Sequence, residues 1–187
     1  MRIPKDGLWH AAQLHACIRS KSCRRRLNVL PMRTHKDTNL LLDTTLPSYI
    51  IAGSFQSPGE LVNFTYKKVQ FHGGDALVPF LQRFLKKNSL SFHQLGGIIV
   101  AQGPGSFTAV RLGIVVAAAL AYSLHIPVVG VPLPKTEEPV GRREIQQRMR
   151  TLIAKGIRKK PGSYKNLRAV YGKPPNITQS KELIKTQ

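Results

Sequence analysis

Acidic side chains are scarce: nine Asp and Glu stand against 29 Lys and Arg, a formal net charge of +20 over 187 residues. The imbalance is local. Residues 1–38 carry a net +7 and residues 135–187 a net +10, whereas Asn39 to Pro134, with six basic and three acidic residues, carries only +3. Cysteine is nearly absent too. Cys17 and Cys23 both fall in the basic N-terminal stretch, which excludes a disulfide framework or a four-cysteine zinc site and fits a reducing cytoplasm. Long apolar runs are missing as well. The run Ile114 to Leu120 is about a third of the ~20 residues that a membrane-spanning helix needs, and no hydrophobic signal core follows Met1, so no membrane is expected.

What is present is a nearly neutral middle with 42% apolar residues in the whole chain, enough to close one core. The cationic ends would attract a polyanion, RNA first among them, because Lys and Arg near phosphates release condensed counterions. Solvated tails with no dedicated partner fit the same composition. Residues 1–38 show no sustained period of 2 or 3.6 and include Arg24, Arg25 and Arg26 in a row. They are expected to be a disordered extension. Met32 lies eleven residues before Asp43, so a start there would put the first strand almost at the N-terminus.

From Asn39 the pattern becomes strand-like. Leu40 to Leu42 run into Asp43, Thr44 and Thr45; after Pro47 and Ser48, Tyr49 to Ala52 form the second arm of a hairpin. Leu61 to Phe71 alternates as a half-buried strand does. Beyond Gly73 and Gly74 the period turns helical, with Leu77, Phe80, Leu81, Phe84 and Leu85 on one face and Asp75 placed to cap. Leu95 to Ala101 reads as a central strand buried on both sides. A glycine-rich turn, Gly103 to Thr108, leads into an apolar helix to about Leu124 and a last strand, Val128 to Val131. The order β-β-β-α-β-α-β predicts an α/β ribonuclease-H-like lobe with a mixed sheet over residues 39–134. Residues 135–187 are expected to be a basic tail: a helix from Arg142 to Ile157 whose apolar stripe of Ile145, Met149, Leu152 and Ile153 suits packing on the lobe or on a partner, then a Pro/Gly-rich end.

The turn carries the most chemistry. Gly103 and Gly105 permit backbone angles closed to other residues, Pro104 stiffens the loop, and Ser106 or Thr108 can accept amide protons of the following helix. Such a loop can cradle a phosphate or carboxylate or serve simply as a tight strand-to-helix turn. The longer string GPGSFT, then Arg111 and Gly113, an alanine-rich helix and IPVVGV resembles the signature of the TsaB/TsaD family, historically labelled glycoprotease or peptidase M22. Leu41 to Thr45 is similar to that family's opening strand. The resemblance implies an actin/Hsp70-type lobe and makes Asp43, Thr44, Thr45, Gly103, Pro104, Gly105, Ser106, Phe107, Thr108 and Arg111 the phosphate-loop-like set.

Departures from the family limit the chemistry. The metal-binding histidine pair of the catalytic relatives is absent, since no His-x-x-x-His occurs, and Ser106 lacks the Gly-x-Ser-x-Gly context of a nucleophile elbow. No catalytic residue, metal or cofactor is therefore expected. Only 57 residues follow Gly130, too few for a second lobe of about a hundred residues, so nucleotide hydrolysis is not expected either. What the resemblance implies is a non-catalytic scaffold, like TsaB (YeaZ), that supports a TsaD-like catalytic partner in tRNA threonylcarbamoyl-adenosine synthesis. The helix Thr108 to Leu124 is apolar nearly all round. The family docks this helix and the preceding one against a partner or a second copy, which puts Leu77, Phe80, Leu81, Phe84, Gly113, Ile114, Ala117, Ala118 and Ala121 at the expected interface. The alternatives are an RNA-binding protein acting through its basic tails, and a small ATPase or threonylcarbamoyl transferase.

Overall fold

Strict alternation along three neighbouring strands decides which side chain meets which helix. The computed structural model describes residues 38–69, 74–136 and 141–171. Within them, β1 (Thr38–Asp43), β2 (Tyr49–Gln56), β3 (Glu60–Lys68), β4 (Leu95–Ala101) and β5 (Val128–Val131) form one sheet in the order β3-β2-β1-β4-β5. β1 pairs antiparallel with β2 and parallel with β4, and β4 pairs parallel with β5. Leu40, Leu42, Ile50, Ala52, Ile98 and Val100 point to one face, and Leu41, Ile51, Ile99 and Ala101 to the other. A central strand buried on both sides needs apolar residues at every position, which is why these runs are continuous.

The first face is covered by α1 (Gly74–Lys87) and α2 (Phe107–Leu124). Leu77, Phe80, Leu81, Phe84 and Leu85 of α1, with Val110, Ile114, Ala117 and Ala121 of α2, complete that core. The predicted element order and the ribonuclease-H-like mixed sheet are both observed. The third strand, expected to reach Phe71, is observed to Lys68; Gln70 and Phe71 lie outside the described residues. By length and composition α2 as a whole is long and apolar enough to cross a membrane, although the shorter run counted in the sequence is not. One line of it is committed to the sheet.

The second face is covered by α3 (Arg142–Gly156), from the segment expected to be a tail. Its Ile145, Met149, Leu152 and Ile153 pack on Leu41, Ile51, Ile99 and Val131, so the stripe serves the lobe's own core. The segment after α3 returns to the first face. Leu167 is buried there, Tyr164 meets Tyr122 edge-on at 5.2 Å, and the Val170 amide donates to the Gln102 carbonyl at 2.7 Å. Thr38 already belongs to β1; the rest of the expected extension, with both cysteines, lies outside the described residues, as do residues 172–187.

Candidate functional site

The ends of β1 and β4 bring the two loops singled out in the sequence together. Asp43 closes β1 on the α3 side, next but one to Leu41, while Thr44 turns toward α2. The Thr44 hydroxyl donates to the Ala109 carbonyl at 2.7 Å. Gly105 lies against the Thr45 carbonyl so closely that a Cβ there would collide with backbone. Its requirement is close approach. Gly103 differs: its φ of +114° belongs to the glycine-favouring region, and a Cβ would also strike the Val170 carbonyl. The Gly103–Pro104 peptide is cis.

Asp43 is fully buried and fully engaged. The Thr45 amide and hydroxyl donate to its Oδ1 at 2.8 and 2.7 Å, and Arg148 Nε donates to Oδ2 at 2.6 Å. Arg148, 7% exposed, spends its other nitrogens as fully: Nη2 donates to Thr45 Oγ1 at 2.6 Å, and Nη1 to the Pro134 carbonyl at 3.0 Å and Thr136 Oγ1 at 2.7 Å. A buried charge pair is tolerable only when its remaining donors and acceptors are satisfied, and here they are. A depression of about 450 Å³ beside it is lined by Leu133, Pro134, Thr136, Arg143, Glu144, Gln147, Arg148 and Thr151.

The structure thus brings together Asp43, Thr44, Thr45, Gly103 and Gly105, but as an internally bonded latch. Ser106 caps α2 without a side-chain bond to the helix amides, which corrects the expectation of a hydroxyl cap; the Ser106 carbonyl accepts from Val110 N at 2.9 Å. Ser106, Phe107 and Thr108 are exposed. Arg111 is engaged by two aromatic rings. Its guanidinium sits 3.9 Å from the Phe107 ring centroid and Nε donates to the Tyr171 hydroxyl at 2.7 Å, while Phe107 and Tyr171 stack at 4.8 Å. Among the described residues no group of three or more His, Cys, Asp or Glu could hold a metal.

The expected partner-interface residues need a correction. Leu77, Phe80, Leu81, Phe84, Ile114, Ala117 and Ala121 form the lobe's own core, Gly113 is buried against Thr44, and Ala118 is half-buried. Helical periodicity marked the side facing the sheet. The apolar residues that α1 and α2 expose are instead Val78, 44% exposed, Val115, 63% exposed, Ala119 and Tyr122, 62% exposed. Arg148 was missed altogether. Its signal was a lone cation among the apolar positions 145, 149, 152 and 153, answering a lone carboxylate at the end of an apolar strand.

The family model for TsaD, tRNA N6-adenosine threonylcarbamoyltransferase, matches residues 67–133. The protein "tRNA threonylcarbamoyladenosine biosynthesis protein TsaB" of Bacillus subtilis is 38% identical over 65 residues, 35% of this chain and 28% of that one. Its Haemophilus influenzae counterpart is 30% identical over 98 residues, 50% of this chain and 39% of that one. Among solved structures, YeaZ from Pseudomonas aeruginosa aligns with a TM-score of 0.46 at 27% identity, over 51% of this chain and 44% of that one. The chain spans less than half the length of these relatives.

Proposed function

We propose that this TsaB/YeaZ-like chain is a supporting subunit for a TsaD-like catalytic partner in threonylcarbamoylation of the adenosine beside the tRNA anticodon. The observation that carries the reading is the Gly103–Gly105 turn. It is the family-like motif, and its surroundings are closed by the chain itself. A phosphate-holding loop needs free donors and a carboxylate available for a metal ion. Here Asp43 is saturated by Arg148 and Thr45, Thr44 is bonded to Ala109, and Arg111 is held by Phe107 and Tyr171. Geometry of this kind supports a structural role over chemistry at that loop.

The work is then done by a surface. Val115, Ala119 and Tyr122 give α2 an apolar outer side, with Val78 exposed on α1, suited to the helices of a TsaD-like subunit or of a second copy. Contact with tRNA would be supplied by the cationic segments, and a cytoplasmic location follows from the reaction. The test is reconstitution. Added to a TsaD-like enzyme with threonylcarbamoyl-adenylate and tRNA, the chain raises modified adenosine above the level of the enzyme alone, and by itself it forms none. No increase at a stoichiometric excess of the chain would refute the proposal.

A further inference from the structure

Resting on that reading, we infer that the outer side of α3 and the segment that follows it form the RNA-contacting surface of the folded lobe, one that tracks phosphates and does not read bases. The sequence located the positive charge in a tail; the structure relocates much of it onto a rigid element. α3 is fixed to the sheet by four apolar side chains and by Arg148. Everything polar on it therefore has a defined direction. Arg143 and Arg150 are both exposed and lie seven residues apart, two helical turns or about 10 Å along one side. Lys155 in the last turn, then Arg158, Lys160 and Lys165, all exposed, continue the charge to and past the helix end.

Compensation is missing. Residues 141–171 contain one acidic residue, Glu144, and among the described residues the one ion pair is the buried Arg148–Asp43 contact. The same bond that anchors α3 keeps Asp43 off the surface, so Glu144 is the one carboxylate of this segment against these six exposed cations. The fold fixes where these cations stand, and on meeting phosphates they release the counterions condensed there. The α3 part of this surface, Arg143 and Arg150, lies on the opposite side of the sheet from α1 and α2, whereas Lys165 sits next to the Tyr164 that meets Tyr122 of α2. A protein docked on α2 and an RNA on the outer side of α3 would not compete for the helix itself.

The experiment compares the full chain with the quadruple variant Arg143→Gln, Arg150→Gln, Arg158→Gln and Lys160→Gln. Binding to a fluorescent tRNA transcript is measured from 50 to 300 mM salt, with far-UV circular dichroism to check folding. Four lost phosphate contacts lower the slope of log K against log salt by about 3 and weaken binding at 100 mM salt at least tenfold. An unchanged slope in a folded variant overturns the inference and places the contact elsewhere. Vesicles containing phosphatidylserine are the second arm; if the wild type binds them more tightly than the transcript, and the variant loses both equally, the surface is a membrane contact and the inference fails. Pull-down with the TsaD-like subunit separates this result from the proposed function. The quadruple variant keeps that association, so loss of RNA alone bears on α3, and absence of association in the wild type bears on the scaffold reading.

Discussion

The two faces of the sheet bury similar aliphatic side chains and present different exteriors. Over one face, α2 remains apolar on the outside at Val115, Ala119 and Tyr122, while α1 exposes Val78 and Pro79 beside Gln82, Arg83, Lys86 and Lys87. Over the other, a single helix closes the core with four apolar residues and turns Arg143 and Arg150 to solvent. Burial explains the inner sides of both layers and neither outer side. The contrast lies outside the core, in what each layer presents to solvent: an apolar line on α2, and cations on α3.

The faces also differ in what holds them. The α1/α2 face is held by hydrocarbon and the Thr44–Ala109 hydrogen bond, the α3 face by hydrocarbon and one buried ion pair, and the largest effects are expected at the ion pair. Asp43→Ala or Arg148→Met, each leaving its partner charged and unpaired in the core, destabilises by about 3–5 kcal/mol. The double variant recovers most of that loss in urea melts, because no buried charge is left. Leu152→Ala and Leu81→Ala test whether α3 is as much a part of the lobe as α1. Both are fully buried, and each lowers stability by about 2–5 kcal/mol; a Leu152→Ala variant melting like the wild type would return α3 to the status of a tail. Gly103→Ala, forced into a positive φ and against Val170, costs about 1–3 kcal/mol, read by thermal denaturation. Smallest is Tyr171→Phe, which removes the bond from Arg111 and lowers stability by about 1 kcal/mol or less.

Element order was legible in the sequence because strands buried on both sides show as short continuous apolar runs and a helix as a period of 3.6, visible in Leu40 to Leu42, Leu95 to Ala101 and the Leu77–Leu85 stripe. The packing of α3 was not. An apolar stripe such as Ile145, Met149, Leu152 and Ile153 is attracted to any apolar surface, so its pattern does not say which. The Asp43–Arg148 pair joins residues 105 positions apart, and no local spacing announces it. On α2, apolar nearly all round, Ala117 stood at the expected interface and Val115 was left out. Only the direction of each side chain from the axis divides a buried residue from one that is 63% exposed.

That division supplies the most direct test of the supporting role. Val115→Arg leaves the core untouched, so its melting temperature matches the wild type, and size-exclusion chromatography with a TsaD-like subunit shows the wild type in a complex and the variant eluting alone. A folded Val115→Arg chain that enters the complex as fully as the wild type contradicts the account.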